Sequence, residues 1–165
     1  AEAAQGEICQ AANDNDPGQV VVSGHKAAVE RACEIAKGRG AKRAVILPVS
    51  APFHCALMQP AADAMAAALA DVNIFAPSVP VVANVLASAN NDADVIADLL
   101  VQQVTGSVRW RESVSYMSDT GVTEIYEIGA GKALSGMVRR IDRAIACKAV
   151  NSPEDVAAVV AELRG

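Results

Sequence analysis

The pattern of apolar and polar positions predicts that short strands and helices follow one another along the chain. Apolar, β-branched runs at residues 19–23 and 44–49 predict two buried strands. Between these runs, apolar residues recur at three- and four-residue spacings over residues 25–37, as they do on a helix with one buried face. Gly38 is expected to end that helix, which gives a β-α-β stretch with short connections.

A short strand and a loop are expected before this stretch. Residues 7–12 predict the strand. Residues 13–18 consist only of Asn, Asp, Pro and Gly, the residue types that favour turns. We therefore expect residues 13–18 to form a loop.

From Val79 onward, predicted strands alternate with predicted helices, which implies a layered α/β sheet. Helices are expected over residues of about 56–70, 92–103, 108–119, 132–141 and 153–163. Strands are expected over residues of about 79–85, 123–128 and 144–149. The tight loop from Ser50 to His54 marks the change in pattern and is the expected junction between two subdomains.

Composition and charge narrow the classes of function. Hydrophobic residues make up 52% of the chain and aromatic residues only 3%, so aliphatic side chains must fill the core. The net charge of −5, with no run of Lys or Arg longer than a pair, argues against nucleic acid as a main partner. No apolar run reaches the roughly 20 residues that span a membrane, so no membrane partner is expected.

The cysteines and histidines do not have the spacing of a metal site. Cys9, Cys33, Cys55 and Cys147 are widely separated and include no Cys-x-x-Cys pair. We expect reduced thiols, a state typical of cytoplasmic proteins, and no metal ligand set.

His54 is the most informative candidate for chemistry. It follows Pro52 in a loop between a strand and a helix, where an imidazole can face a cleft and act as a general base. From spacing alone, a histidine held by backbone groups is the more frequent case. A dyad with Cys55 is disfavoured because adjacent side chains usually diverge. His25, at a predicted helix start, is expected to be a surface or capping residue.

Two functional motifs, the phosphate-binding loop and the nucleophile elbow, are incomplete or missing in the sequence. The stretch Gly129–Lys132 is an incomplete phosphate-binding loop, because Tyr126 and Ala133 stand where that motif needs Gly and Ser or Thr. Its glycines more simply turn a strand into a helix, although the helix N-terminus could favour an anion. The nucleophile elbow Gly-x-Ser-x-Gly does not occur in the chain. The sequence therefore contains a candidate base without a partner nucleophile.

Five blocks of the chain, in order, resemble the malonyl-CoA:acyl carrier protein transacylase family. The blocks cover nearly the whole chain, and their shared order is more specific than any one of them. They are AANDNDPGQVVVSGHKAAVERA (11–32), SAPFHCALMQPAADAM (50–65), PSVPVVANV (77–85), VQQVTGSVRWRESV (101–114) and YEIGAGKALSGMVRRI (126–141).

The resemblance implies a fold and the part of it that is present. Members of the family have a large α/β-hydrolase-like subdomain into which a smaller ferredoxin-like subdomain is inserted. Residues 1–49 resemble the later part of the insert, and residues 50–165 resemble the C-terminal part of the large subdomain. The chain is thus expected to be a C-terminal piece that lacks the nucleophile region.

The resemblance also implies a reaction and its residues. In the family, a serine takes malonyl from malonyl-CoA and passes it to the phosphopantetheine thiol of acyl carrier protein, so these thioesters are substrates and no cofactor is needed. His54 matches the base, and Gln103 matches the residue whose backbone carbonyl orients it. Phe53 matches a position associated with malonyl choice, and Asn13 and Asn15 match residues near the pantetheine channel.

The departures from the family are large and leave alternatives open. The serine elbow, the oxyanion-hole donors and the arginine that binds the malonyl carboxylate have no counterpart here, so the chain alone is expected to be inactive, with apolar edges exposed. One alternative is a non-catalytic remnant that binds acyl carrier protein. Another is a piece of a polyketide synthase acyltransferase domain. Upstream sequence would distinguish these readings.

Overall fold

Six strands and six α-helices make up the protein, and the computed structural model describes all 165 residues. They form two compact units, residues 1–113 and residues 114–165. The strands pair two by two, as two antiparallel hairpins in the first unit and one parallel pair in the second. The predicted α/β class is confirmed.

The first hairpin joins β1 (Cys9–Asp16) to β2 (Gln19–Gly24), with two register shifts in β1. The predicted loop at residues 13–18 is therefore wrong over most of its length. Asp16 is almost fully buried, and its Oδ1 accepts a hydrogen bond of 2.8 Å from the N–H of Gly18. This side-chain bond closes a tight turn, so the turn-forming residues before it remain in the strand.

The valines of β2 do not form a core. The strand was predicted as a buried one, and it does form, but Val20 is 62% exposed and Val22 is 37% exposed. β-Branched residues fit a pleated surface whether or not its faces are covered, so the pattern predicted the strand better than its burial.

α1 (Lys26–Gly38) follows the hairpin and confirms the predicted helix. Ala28 is fully buried on its inner face. Arg31 ties the helix to the start of the chain by donating to the carbonyls of Ala3 and Ala4, at 2.9 and 3.1 Å, and by an ion pair of 2.6 Å with Glu7.

The second predicted buried strand, residues 44–49, is wrong. The segment belongs to no sheet, and its large apolar side chains are exposed by 49–60%: Val45, Ile46, Leu47 and Val49. A strand forms only where a neighbour supplies partners for its N–H and C=O groups, and the local pattern carries no information about that neighbour. The expected exposed apolar surface is confirmed in this segment.

The segment after residue 50 contains two helices and a short hairpin. A 3₁₀ turn (Ala56–Met58) leads into α2 (Gln59–Leu69), as predicted. β3 (Val81–Ala83) is shorter than the predicted strand at 79–85, and it pairs with β4 (Ser88–Asn90), which was not predicted. α3 (Ala93–Thr105) packs against α2.

Two of the predicted helices begin at side-chain caps. Asp92 caps α3 by accepting a hydrogen bond of 2.9 Å from the N–H of Asp94. Ser152 and Asp155 form a reciprocal capping box at the last helix. Such caps use the N–H groups that a helix start leaves unpaired, which is why the sequence predicts them.

α4 (Trp110–Asp119) leads into the second unit, where β5 (Glu124–Ile128) and β6 (Ala146–Val150) pair in parallel through α5 (Ala133–Ile141). A parallel pair needs such a crossover, so helix and strands support one another. α6 (Pro153–Arg164) ends the chain. These elements confirm the predictions for this region, and none of the helices has the length and hydrophobicity to cross a bilayer.

Candidate functional site

The turn that carries His54 has an uncommon backbone. His54 has a φ of +58°, in the left-handed region that non-glycine residues rarely adopt. Neighbouring groups hold the turn on both sides. The thiol of Cys55, which is fully buried, donates to the carbonyl of Pro52 at 3.1 Å, and the N–H of Ala56 donates to Oε1 of Gln10 at 2.7 Å. Strained backbone of this kind persists only where its surroundings fix it.

The ring of His54 reaches a backbone carbonyl at the end of α3. Its Nδ1 lies 3.0 Å from the carbonyl oxygen of Gln103, and the side chain is half-buried. The last four carbonyls of a helix have no partner within the helix, so this oxygen is available. The side-chain Nε2 of Gln103 donates to the carbonyl of Gly106 at 3.3 Å and also lies 3.5 Å from Nδ1 of His54.

This contact determines which ring nitrogen carries the proton. A carbonyl oxygen can only accept, so in the shorter of its two contacts, 3.0 Å to the Gln103 carbonyl against 3.5 Å to the Gln103 side-chain amide, Nδ1 of His54 donates. In the neutral ring the proton then sits on Nδ1, and Nε2 is free to accept one from a substrate or a nucleophile. This arrangement orients the ring so that Nε2 of His54 can accept a proton.

The adjacent thiol is not placed as a nucleophile. Cys55 is fully buried, and its Sγ faces the carbonyl of Pro52 within the same turn. A nucleophile must lie within hydrogen-bond reach of its base and be open to substrate. The geometry therefore agrees with the sequence argument against a dyad between His54 and Cys55.

The remaining candidate residues lie on the turn itself and on β1. Phe53 directly precedes His54 and is 47% exposed. Asn13 and Asn15 lie half-buried on β1, where Val108 runs alongside and bonds to the neighbouring backbone. β1 also carries Gln10, whose contact with the His54 turn the sequence analysis missed. No local signal could have found it, because the two bonded residues are 46 positions apart.

Two arginines near the start of α4 bond to β1 and to the connection between β3 and β4. Arg111 forms an ion pair of 2.6 Å with Asp14 on β1. Arg109 donates to the carbonyls of Val85 and Leu86 at 3.3 and 3.2 Å and pairs with Glu112. Hydrogen bonding to Arg109 lowers the pKa of the Glu112 carboxyl. These arginines tie the start of α4 to β1 and to the β3–β4 connection.

His25 has a structural environment, in keeping with the expectation of a surface or capping residue. It immediately precedes α1, and its Nδ1 accepts a hydrogen bond of 3.0 Å from the N–H of Ile8. Its own N–H donates to the carbonyl of Ile8 at 2.9 Å. The two bonds close the open end of the first hairpin.

The glycine-rich stretch before α5 turns the strand into the helix, as predicted. Gly129 and Gly131 have φ values of +137° and +92°, which glycine adopts without a steric penalty. The carboxylate of Glu127 accepts bonds from the N–H groups of Leu134 and Ser135, at 3.0 and 2.7 Å. The hydrogen bond from the Ser135 hydroxyl, together with those two backbone bonds, lowers the pKa of the Glu127 carboxyl. An internal anion therefore already occupies this helix N-terminus.

No metal-binding cluster accompanies these residues. No group of three His, Cys, Asp or Glu side chains in the chain could hold a metal ion. An open depression of about 830 Å³ lies along α1, between Arg31 and Ile46, and its lining does not include His54.

Known proteins resemble this chain in sequence and in structure, although no protein-family model matches it. Malonyl CoA-acyl carrier protein transacylase of Escherichia coli K12 is 49% identical over 159 residues, 96% of this chain and 52% of the relative. The crystal structure of acyl-carrier-protein-S-malonyltransferase from Bartonella henselae has a TM-score of 0.94 and 52% identity, covering 99% of this chain and 52% of its own.

A third similar protein is a malonyl-transacylase solved in complex with its type II PKS acyl-carrier protein. It has a TM-score of 0.93 and 43% identity, and the match covers 98% of this chain and 52% of the other. This chain thus spans about half the length of the curated relatives it matches. Sequence and fold agree over nearly all of its residues. Over the half-length that it spans, the chain belongs to the malonyl CoA-acyl carrier protein transacylases.

Proposed function

We propose that this chain supplies the general base for transfer of malonyl from coenzyme A to acyl carrier protein, a step that feeds fatty acid biosynthesis. The contact of 3.0 Å between Nδ1 of His54 and the carbonyl oxygen of Gln103 is the observation that carries this proposal. It leaves Nε2 as the acceptor, the arrangement that a serine acyltransferase requires of its histidine. The similar proteins are malonyl transacylases of acyl carrier protein, which supports the same reaction.

The proposed route has two symmetric halves. In the first, Nε2 of His54 takes the proton of a serine hydroxyl while the serine oxygen attacks the malonyl thioester carbonyl. The C–S bond then breaks, and the same proton passes to the departing coenzyme A thiolate. In the second half, His54 deprotonates the pantetheine thiol of acyl carrier protein, which attacks the acyl-serine. The serine oxygen recovers the proton, so the base returns to its starting state.

The nucleophile of this route must lie outside the 165 residues. No Gly-x-Ser-x-Gly elbow occurs in the sequence, and the neighbouring thiol of Cys55 is buried within its own turn. The arginine that would bind the malonyl carboxylate and the oxyanion-hole donors are likewise proposed to come from other residues of the whole enzyme. The chain by itself is expected to transfer no malonyl.

Three residues are proposed to contact the substrates. Phe53, exposed beside His54, would line the acyl pocket and crowd an α-methyl branch on the malonyl group. A methyl-sized difference in a pocket changes transition-state binding by about 1–3 kcal/mol. Asn13 and Asn15 on β1 would flank the pantetheine arm, whose amides need hydrogen-bond donors and acceptors.

The finer description of the fold is part of the same proposal. Residues 1–49, with the hairpin and α1, would form the later part of a ferredoxin-like small subdomain. Residues 50–165 would form the C-terminal part of an α/β-hydrolase-like large subdomain. The unpaired apolar segment 44–49 supports a sheet that needs further strands to be complete.

Joining this chain to the upstream half of the Escherichia coli relative and measuring malonyl transfer to acyl carrier protein tests the function. His54→Ala is expected to lower kcat by about 10²- to 10⁴-fold, the usual contribution of a general base. His25→Ala, the matched control, should retain activity. Transfer by the His54→Ala enzyme at the unsubstituted rate would contradict the proposal.

The same experiment separates the proposal from its main alternative. A remnant that only binds acyl carrier protein should bind the carrier without transferring malonyl in the joined protein, whichever residue stands at position 54. Activity that depends on His54 excludes this alternative. The similarity to a transacylase bound to a type II PKS carrier keeps polyketide synthesis as a second candidate context, which assays with carrier proteins of both kinds would distinguish.

A further inference from the structure

The 3₁₀ turn that follows His54 has no cap from its own N-terminal residue. The turn spans Ala56–Met58, and Cys55 occupies the capping position without a side-chain bond to it. The thiol of Cys55 donates to the carbonyl of Pro52 instead. The first N–H groups of a helical segment have no partner within it, so a side chain from another part of the chain can supply the acceptor.

That acceptor comes from the first hairpin. Oε1 of Gln10 accepts a hydrogen bond of 2.7 Å from the N–H of Ala56, across 46 positions of sequence. Gln10 lies on β1, paired in the ladder with Ser23 of β2, so its backbone is fixed. The bond therefore attaches the first hairpin to the backbone only two residues beyond His54.

The bond between Gln10 and Ala56 lies close enough to His54 to affect the position of its imidazole ring. His54 is left-handed at a φ of +58°, and its Nδ1 meets the carbonyl of Gln103 on a separate helix. A small rotation of the turn would carry the ring away from that oxygen. The Cys55 thiol restrains the turn before His54, and Gln10 restrains it after His54.

We propose that Gln10 is a positioning residue for His54, acting through the N–H of Ala56. By accepting that hydrogen bond it holds the turn in the conformation in which Nδ1 donates to Gln103 and Nε2 stays free. The inference rests on the proposed function of His54 as the base. It adds a residue whose part in the reaction is indirect, since Gln10 itself meets no reacting atom.

Three substitutions isolate the acceptor from other effects. Gln10→Met keeps the length of the side chain and removes the acceptor oxygen. Gln10→Glu keeps an acceptor and adds a negative charge, which a helix start favours. Gln59→Met is the matched control, because Gln59 is also exposed and also bonded through its side chain, to Asp63 at 2.8 Å, on the first turn of α2.

The readout on the chain itself is the tautomer of His54, followed by long-range nitrogen–proton correlation NMR at a pH where imidazole is neutral. Gln10→Met should replace the Nδ1–H pattern with averaged nitrogen shifts, whereas Gln10→Glu and Gln59→Met should keep it. In the joined enzyme, Gln10→Met should lower kcat about fivefold, as expected for one net hydrogen bond, with KM unchanged.

The outcomes separate this inference from the proposed function. An unaltered tautomer pattern in Gln10→Met would overturn the role of Gln10 and leave the base assignment standing. Loss of the pattern in both Gln10→Met and Gln10→Glu would also overturn it, because the acceptor would then be irrelevant. Failure of the proposed function has a different signature, namely full transfer activity in His54→Ala.

Discussion

The two histidines of the chain both contact the backbone through Nδ1, but their neutral rings are expected to be opposite tautomers. Each places Nδ1 at 3.0 Å from a backbone atom, His25 at the N–H of Ile8 and His54 at the carbonyl oxygen of Gln103. An N–H partner requires an unprotonated Nδ1, so the neutral His25 ring carries its proton on Nε2. A carbonyl partner requires the reverse, so His54 keeps Nε2 free.

The backbone conformations of the two histidines also differ. His25 has φ and ψ of −63° and 140°, an ordinary extended conformation at the end of a hairpin, whereas His54 is left-handed at +58°. The first is a relaxed capping position, and the second is strained and held by neighbours. The comparison teaches that the partner of the ring and the cost of its backbone, more than the residue type, mark the candidate base.

After substitution of His54 itself, the largest difference in activity is expected between substitutions of the residues next to the two histidines. Phe53 precedes His54, and Lys26 follows His25 at an exposed helix start. In the joined enzyme, Phe53→Ser is expected to relax the discrimination between malonyl and methylmalonyl thioesters by about 1–3 kcal/mol, because the smaller side chain admits the methyl branch. Comparison of kcat/KM for the two thioesters measures this change.

The control for that experiment is Lys26→Ser, which should leave the ratio of the two kcat/KM values unchanged. An equal effect of both substitutions, or none from Phe53→Ser, would contradict the placement of Phe53 beside the acyl group.

Substitution of each histidine by glycine should change the free energy of unfolding by different amounts. His25→Gly loses the acceptor for the Ile8 N–H and adds backbone freedom, so the free energy of unfolding should fall by about 1–2 kcal/mol. His54→Gly also loses a hydrogen bond, but glycine relieves the left-handed strain, and the net change should stay within about 0.5 kcal/mol. Urea denaturation of the two variants tests the difference, and an equal loss in both would remove the distinction between relaxed and strained backbone.

How far the sequence predicts the molecule depends on how local each interaction is. The caps at Asp92 and Ser152 lie within their own helices, and the helices they start were predicted correctly. Residues 44–49 have the pattern of a strand, but a strand depends on a distant partner, and that prediction was wrong. The loop predicted over residues 13–18 failed because one buried carboxylate, Asp16, closes a shorter turn than the composition suggests.

The candidate site follows the same rule. His54 stood out through its loop, but the partner of its ring is 49 positions away, and only a family resemblance pointed to Gln103. Nothing in the sequence pointed to Gln10, since a glutamine on a strand is chemically ordinary until its acceptor meets the N–H of Ala56. Contacts between distant segments are fixed by packing, which local patterns do not encode.

The smallest expected effect is on stability in acid and concerns the carboxylate of Glu127. Like Nδ1 of His25, the Glu127 carboxylate faces donors, the hydroxyl and N–H of Ser135 and the N–H of Leu134, and these lower its pKa below the usual 4.5. A lowered pKa in the folded state stabilises the protein above the ordinary value, and that contribution is lost as the pH falls through the folded-state pKa.

Glu127→Gln should therefore weaken the loss of stability in acid while leaving the shape of the profile near neutral pH unchanged. Thermal melting between neutral pH and about pH 3 measures it, the window below the ordinary carboxyl range. Asp63→Asn is the matched control on an exposed helix face. A profile for Glu127→Gln that runs parallel to that of the unsubstituted chain would count against the donor arrangement at α5.

The account depends most directly on where the proton sits in each imidazole. Long-range nitrogen–proton correlation NMR on the labelled chain, at a pH well above the ordinary imidazole pKa of about 6.5, reads both rings in one spectrum. The predicted result is a proton on Nδ1 of His54 and on Nε2 of His25. A proton on Nε2 of His54 would contradict the central claim, because that nitrogen could then accept nothing from a nucleophile.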